Sequence, residues 1–158
     1  MQRSSIRAFG ARDPGSNPGG AIFILKMDNV KVLLKAIIKK GDKFLVIQRS
    51  SDDVSRPNKW DFPGGNLEWG EDSMDCIVRE IREETDLSVN GIRAFYVVSE
   101  KKTLKKELFW VQIGYVANYD CGEVKLSHEH QDYKWVDKDE FLKLESSDYL
   151  KEFVKNLV

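Results

Sequence analysis

The chain has 158 residues, 41% of them hydrophobic, enough for one globular domain with an enclosed core. A net charge of −1 gives no footprint for nucleic acid or a membrane surface, and apolar runs such as Ala21–Leu25 are far too short to span a bilayer. Cys76 and Cys121 lack metal-type spacing and suit a reducing compartment, so a cytoplasmic protein, monomer or homodimer, is expected.

Residues 1–26 differ from the rest. They hold two of the four prolines, four of the eleven glycines, and one acid (Asp13) against Arg3, Arg7, Arg12 and Lys26. That is +3, leaving −4 for residues 27–158. Asp13–Gly20 reads as turn and linker. The Arg/Ser-rich start suits a transit peptide, but the glycine-proline stretch does not. Pro14–Gly19 can also be encoded as a hairpin resembling the T-arm of a transfer RNA gene. Residues 1–26 are therefore expected to be a non-core extension, a linker or an upstream mis-start, with Met27 as initiator and 27–158 as the domain.

Residues 31–50 form two β-like runs around Gly41-Asp42, a hairpin signal. A loop with Pro57 follows, then Lys59-Trp60-Asp61-Phe62-Pro63-Gly64-Gly65. Residues 72–85 repeat with helical period: Met74, Ile77, Val78 and Ile81 fall in one stripe, expected to pack on the sheet. Asp72 is placed to cap that helix, with Asp75 three residues on. Residues 92–100 and 106–119 read as strands, 133–137 as a short strand, and about 138–144 and 147–157 as helices. This mixture indicates an α+β layered domain.

The helix is unusually acidic. From Glu71 to Asp86 there are seven carboxylates against Arg79 and Arg82. Asp72 and Asp75 suit the positive end of the helix dipole; Glu80, Glu83 and Glu84 sit where the dipole disfavours anions. These three form one arc beside the apolar stripe, with Glu84 nearest its edge. Such an arc is either a solvated acidic face or a site for a hard divalent cation, Mg²⁺ or Mn²⁺, which takes carboxylate oxygens and leaves positions for phosphate.

Spacing decides between these. Gly65, five residues, Glu71, seven residues, then Arg79-Glu80-Ile81-Arg82-Glu83-Glu84-Thr85-Asp86-Leu87 resembles the Nudix box, Gly-x5-Glu-x7-Arg-Glu-U-x-Glu-Glu-x-Gly-U, where U is a bulky aliphatic. Asp86 replaces the final glycine, a departure that should weaken the helix end slightly and spare the chemistry. The lead-in Lys59–Gly65 resembles MutT-type members, and the likeness covers about residues 30–145. It implies a Nudix fold, an α/β/α sandwich with a mixed sheet, and hydrolysis of a nucleoside diphosphate linked to a further moiety.

The resemblance also implies roles. Glu80 and Glu84 hold metal, Glu83 is a ligand or base, Arg79 orients a glutamate, and Glu71 supports the site. The Gly64 carbonyl is an implied ligand, while Gly64 and Gly65 let the backbone pass close to metal or phosphate. Arg49, Asp61 and Phe62 are expected at the substrate, Arg49 on a phosphate. Glu129 is expected to join the metals or act as base. His128 and His130 read as loop histidines rather than a zinc pair. In Phe95-Tyr96 and Phe109-Trp110 adjacent rings are expected on opposite faces of the sheet. A nucleoside triphosphate is the expected substrate, with ADP-ribose, a dinucleoside polyphosphate or a sugar nucleotide as alternatives. A non-catalytic nucleotide sensor is a further one, disfavoured by the intact carboxylate set.

Overall fold

The computed structural model describes residues 30–103 and 107–157; the expected N-terminal extension lies outside them. Strand β1 (Val30–Lys40) turns at Gly41, where φ is +62°, into β2 (Lys43–Arg49). A two-residue strand, β3 (Trp60–Asp61), precedes helix α1 (Ser73–Thr85). Strand β4 (Ser88–Thr103) extends past the expected 92–100 at both ends, β5 (Glu107–Cys121) lies close to the expected 106–119, and β6 (His130–Val136) leads to α2 (Lys138–Lys143) and α3 (Asp148–Lys155).

The sheet is mixed, in the order β3-β2-β1-β5-β4, with β6 on β2. Parallel pairing of β1 with β5 runs from Val30 with Phe109 to Lys39 with Asn118, whereas β1 meets β2 only through Lys39 and Lys40. Beyond the hairpin β1 and β2 diverge. Residues 63–67 fill the wedge: Leu34 N–H donates to Gly65 O, Ala36 N–H to Pro63 O, and Leu67 N–H to Val32 O, at 2.8–2.9 Å.

Alternation along β1 divides the core into two layers. Leu34, Ala36 and Ile38 pack with Leu45, Ile47 and the α1 residues Cys76, Ile77 and Ile81. Ile37 faces the other way, with Phe44, Val46, Phe62, Phe141, Leu150 and Phe153 under α2 and α3. Helices on both faces make the α/β/α sandwich.

Helix α1 is rotated relative to its apolar pattern. Met74 and Val78 are 39% and 45% exposed, while Cys76, Ile77, Ile81, Glu84 and Thr85 are buried. The helix turns its Glu80–Glu84 edge toward residues 64–65 and leaves those two apolar side chains partly exposed. Asp72 caps the start, accepting from Met74 N–H at 2.8 Å and Asp75 N–H at 3.3 Å. Asp86 ends it in the left-handed region, φ 57°, its N–H on Arg82 O.

The aromatic alternation fails at one place. A register irregularity between Ala94 and Tyr96 brings both Phe95 and Tyr96 onto Phe153, at 6.0 and 6.3 Å between ring centres. A bulge shifts side chains between faces, a local event that alternation cannot report.

Candidate active site

The wedge between β1 and β2 opens into a cleft of about 1040 Å³. It is lined by Gly64, Gly65, Glu80, Glu84 and Glu129 and also by Arg49, Arg56 and Lys59. The glycines are required by two different contacts. A Cβ on Gly64, whose φ is +137°, would stand 2.1 Å from Leu34 O, so this residue allows the wedge to close on β1. A Cβ on Gly65 would lie 2.4 Å from the Glu80 carboxylate, so this residue admits that side chain. Gly64 N–H donates to Glu84 Oε2 at 2.8 Å and fixes the second carboxylate.

Arg79 organises the rest. It donates to Glu71 Oε1 through Nε (3.1 Å) and Nη2 (3.0 Å), to Glu80 Oε1 at 3.0 Å and to Glu83 Oε2 at 3.1 Å. Glu83 is 60% exposed and is drawn toward Arg79 rather than toward Glu84. The three acids of the arc thus do not converge, and among the described residues no three His, Cys, Asp or Glu side chains meet at one point.

Burial raises the Glu84 carboxyl to about 7, although Lys35 and the Gly64 N–H oppose the rise. Lys35 is 1% exposed and bonds Phe62 O and Gly64 O, each at 2.9 Å, and Asp61 at 3.1 Å. The Gly64 carbonyl therefore accepts from a lysine. Asp61 is itself buried, with Arg56 at 3.2 Å and Arg49 at 3.7 Å. Burial would raise its pKa, but the Lys35 and Arg56 cations hold it below the usual value.

Asp61 and Phe62, expected at the substrate, lie behind the cleft. Phe62 is fully buried, stacked on Phe141 with ring centres 4.9 Å apart, and Asp61 anchors Arg49 and Arg56. Arg49 lines the cleft and is tied to Asp53, which its guanidinium holds well below the carboxylate range. Glu129 is exposed in the turn before β6, its carbonyl accepting Ser50 N–H at 2.9 Å. His130 is not a loop histidine. It opens β6, is 6% exposed, and places Nε2 3.8 Å from Glu84 Oε1. Burial, then the nearby Lys35 and Arg49 charges, depress it to about 4, so it is neutral. Lys35, Arg56 and His130 were not expected at the site. A lysine inside the apolar run Leu33–Ile38 was the available signal for the first; the other two depend on tertiary packing.

A Nudix domain model matches residues 29–157. The chain belongs to the Nudix family. It is 31% identical over 116 residues to the asymmetrical bis(5'-nucleosyl)-tetraphosphatase of Rattus norvegicus, covering 69% of this chain and 74% of the relative. It is 29% identical over 110 residues to the CTP pyrophosphohydrolase of Escherichia coli, covering 70% and 78%. Among solved structures, the MutT Nudix hydrolase of Burkholderia pseudomallei superposes with a TM-score of 0.71 at 22% identity, covering 82% of this chain and 98% of that one. The α+β sandwich and the Nudix hydrolase class expected from residues 65–87 are thus both found.

Proposed function

We propose that this Nudix hydrolase cleaves a nucleoside triphosphate to the monophosphate and pyrophosphate, with Mg²⁺ or Mn²⁺ bound. The observation that carries the reading is one cleft lined both by the acids Glu80, Glu84 and Glu129 and by the cations Arg49, Arg56 and Lys59. A phosphate chain in this cleft meets guanidinium and ammonium donors. It also meets carboxylates that only a cation could reconcile with it.

The donor set fits a hard divalent ion. Glu80 approaches the backbone at Gly65 where a Cβ would exclude it, and Glu84 is a buried carboxylate short of positive charge. Glu80 and Glu84 would hold the ion, and Glu83 or Glu129 would have to turn from its present position to complete the set. A bound ion there neutralises phosphate oxygens and makes water more acidic.

The chain's own residues do the remaining work. Arg79 sets the Glu71, Glu80 and Glu83 carboxylates relative to one another. Gly64 N–H fixes Glu84, and the Lys35–Asp61 pair keeps the glycine loop and the arginines in register. Glu129, exposed and lining the cleft, would accept the proton of the attacking water once substrate fills the cleft.

Attack at the β-phosphorus breaks its bond to the α–β bridging oxygen and places the water oxygen in pyrophosphate. A panel of triphosphates, assayed with Mg²⁺ and Mn²⁺ in ¹⁸O water, is expected to give labelled pyrophosphate and unlabelled monophosphate. The likeness to a dinucleoside tetraphosphatase supports a second reading, cleavage of a dinucleoside polyphosphate by the same carboxylates. Turnover of that class or of ADP-ribose, with triphosphates ignored, would replace the substrate assigned here and leave the Nudix chemistry in place.

A further inference from the structure

Beyond the phosphate-binding end, the cleft floor is a stretch of sheet. Register aligns Leu33 of β1 with Gln112 of β5 and Val98 of β4, and aligns Trp110 with Glu100. All five line the cleft. The glycine loop runs beside β1, so Gln112 lies two strand spacings from it, about 10 Å. That is the reach of a ribose between a phosphate chain and its base.

Gln112 is 1% exposed on this floor. Its Nε2 donates to Glu100 Oε1 at 3.0 Å. A carboxylate only accepts, so this bond fixes the amide orientation and leaves Gln112 Oε1 as the group still to be satisfied. Among the described residues that buried oxygen has no hydrogen-bond partner. An isolated buried acceptor is costly, and water or a ligand N–H is what it lacks. Trp110, two residues away on the same face, has Lys31 Nζ 5.4 Å from its ring centre and presents an indole at the same end.

We propose that Gln112, with Glu100 and Trp110 beside it, reads the base of the substrate and selects bases that carry an exocyclic amino group. This rests on the nucleotide reading above. An amino N–H of cytosine, adenine or guanine satisfies Gln112 Oε1. A keto oxygen in its place sets acceptor against acceptor, beside a carboxylate that worsens the clash. The indole supplies a stacking or edge surface for any base and carries no amino preference itself.

The test compares kcat/KM for CTP with UTP and for ATP with ITP, pairs that differ at an amino or keto group. In the native enzyme the amino base is expected to be favoured at least about tenfold, the effect of one buried acceptor left unpaired. Gln112→Met keeps the size and removes the acceptor, so both ratios are expected to fall within about twofold of unity by loss of amino-base turnover. A native ratio near one, or a Gln112→Met ratio equal to the native one, overturns the proposal. Should the variant not fold, the native ratios decide alone. Should no triphosphate be hydrolysed, calorimetric binding of CMP against UMP separates the two readings. A CMP preference keeps the base site and rejects the triphosphate substrate; equal binding rejects the base site.

Discussion

Glu84 combines two demands that conflict without a cation. It is 7% exposed, and burial lifts its carboxyl from the usual 4.5 to about 7. For an acid raised in the folded state, stability is fully present below the unfolded value and is lost as pH rises through the folded one. In EDTA the protein is therefore expected to lose up to about 3 kcal/mol between pH 4.5 and pH 7.5 from this group. Denaturant unfolding across that window checks it. Glu84→Gln removes the charge, so its metal-free stability should hold or rise and its pH dependence should flatten. The same variant, like Glu80→Gln, should lower kcat by two or more orders of magnitude with metal present. If both turn over within a few-fold of the parent, the arc is only a solvated acidic face. Lys35 is the converse case. Lys35→Met leaves Asp61 buried with fewer cations and the Phe62 and Gly64 carbonyls without their donor, an expected loss of about 3 kcal/mol in thermal or denaturant unfolding.

At the scale of elements, helix α1 connects sheet and site. Its end is closed by Asp86 at φ 57°, a conformation glycine adopts without strain, and Lys125 Nζ sits 2.9 Å from the Asp86 carboxylate. The exposed ion pair is worth at most about 1 kcal/mol and the left-handed penalty is of similar size. Asp86→Gly is therefore expected to move stability by less than about 1 kcal/mol and to leave activity within about twofold, since neither atom faces the cleft. A tenfold loss of activity would mean that the helix end positions Glu84 through Thr85 and Lys125. The helix itself, its cap and its acidic spacing were legible because they are local: Asp72, Asp86 and Gly65–Leu87 carry their meaning in sequence order. Its rotation was not. Met74 and Val78 match the apolar period, but Gly64 and Gly65, far away on the wedge, draw the opposite edge inward. The same holds for His130 and Arg56, which join the site only through β2 pairing with β6 and the approach of α3: Arg56 Nη1 reaches Ser147 and Tyr149 at 3.4 and 3.3 Å.

For the whole molecule, the site exists because a sheet splays and a glycine loop fills the gap. That arrangement draws the charged groups of the cleft from different parts of the chain, acids from α1 and the turn before β6, cations from the end of β2 and the segment between β2 and β3. Glu129 is an exposed acid of the cleft, and a base for the attacking water should act on the chemical step. Glu129→Gln is expected to lower kcat by about tenfold or more with KM within a few-fold; a change in KM alone would make it a substrate contact. The domain that carries all this begins, in the described residues, at Val30, and the Nudix match begins at residue 29. A chain starting at Met27 is therefore expected to fold and to keep full activity. Its melting temperature should fall within about 4 °C of the full-length value, the shift that roughly 1 kcal/mol produces in a domain of this size. A larger drop, or a loss of turnover, would show that residues 1–26 pack on the domain and belong to it.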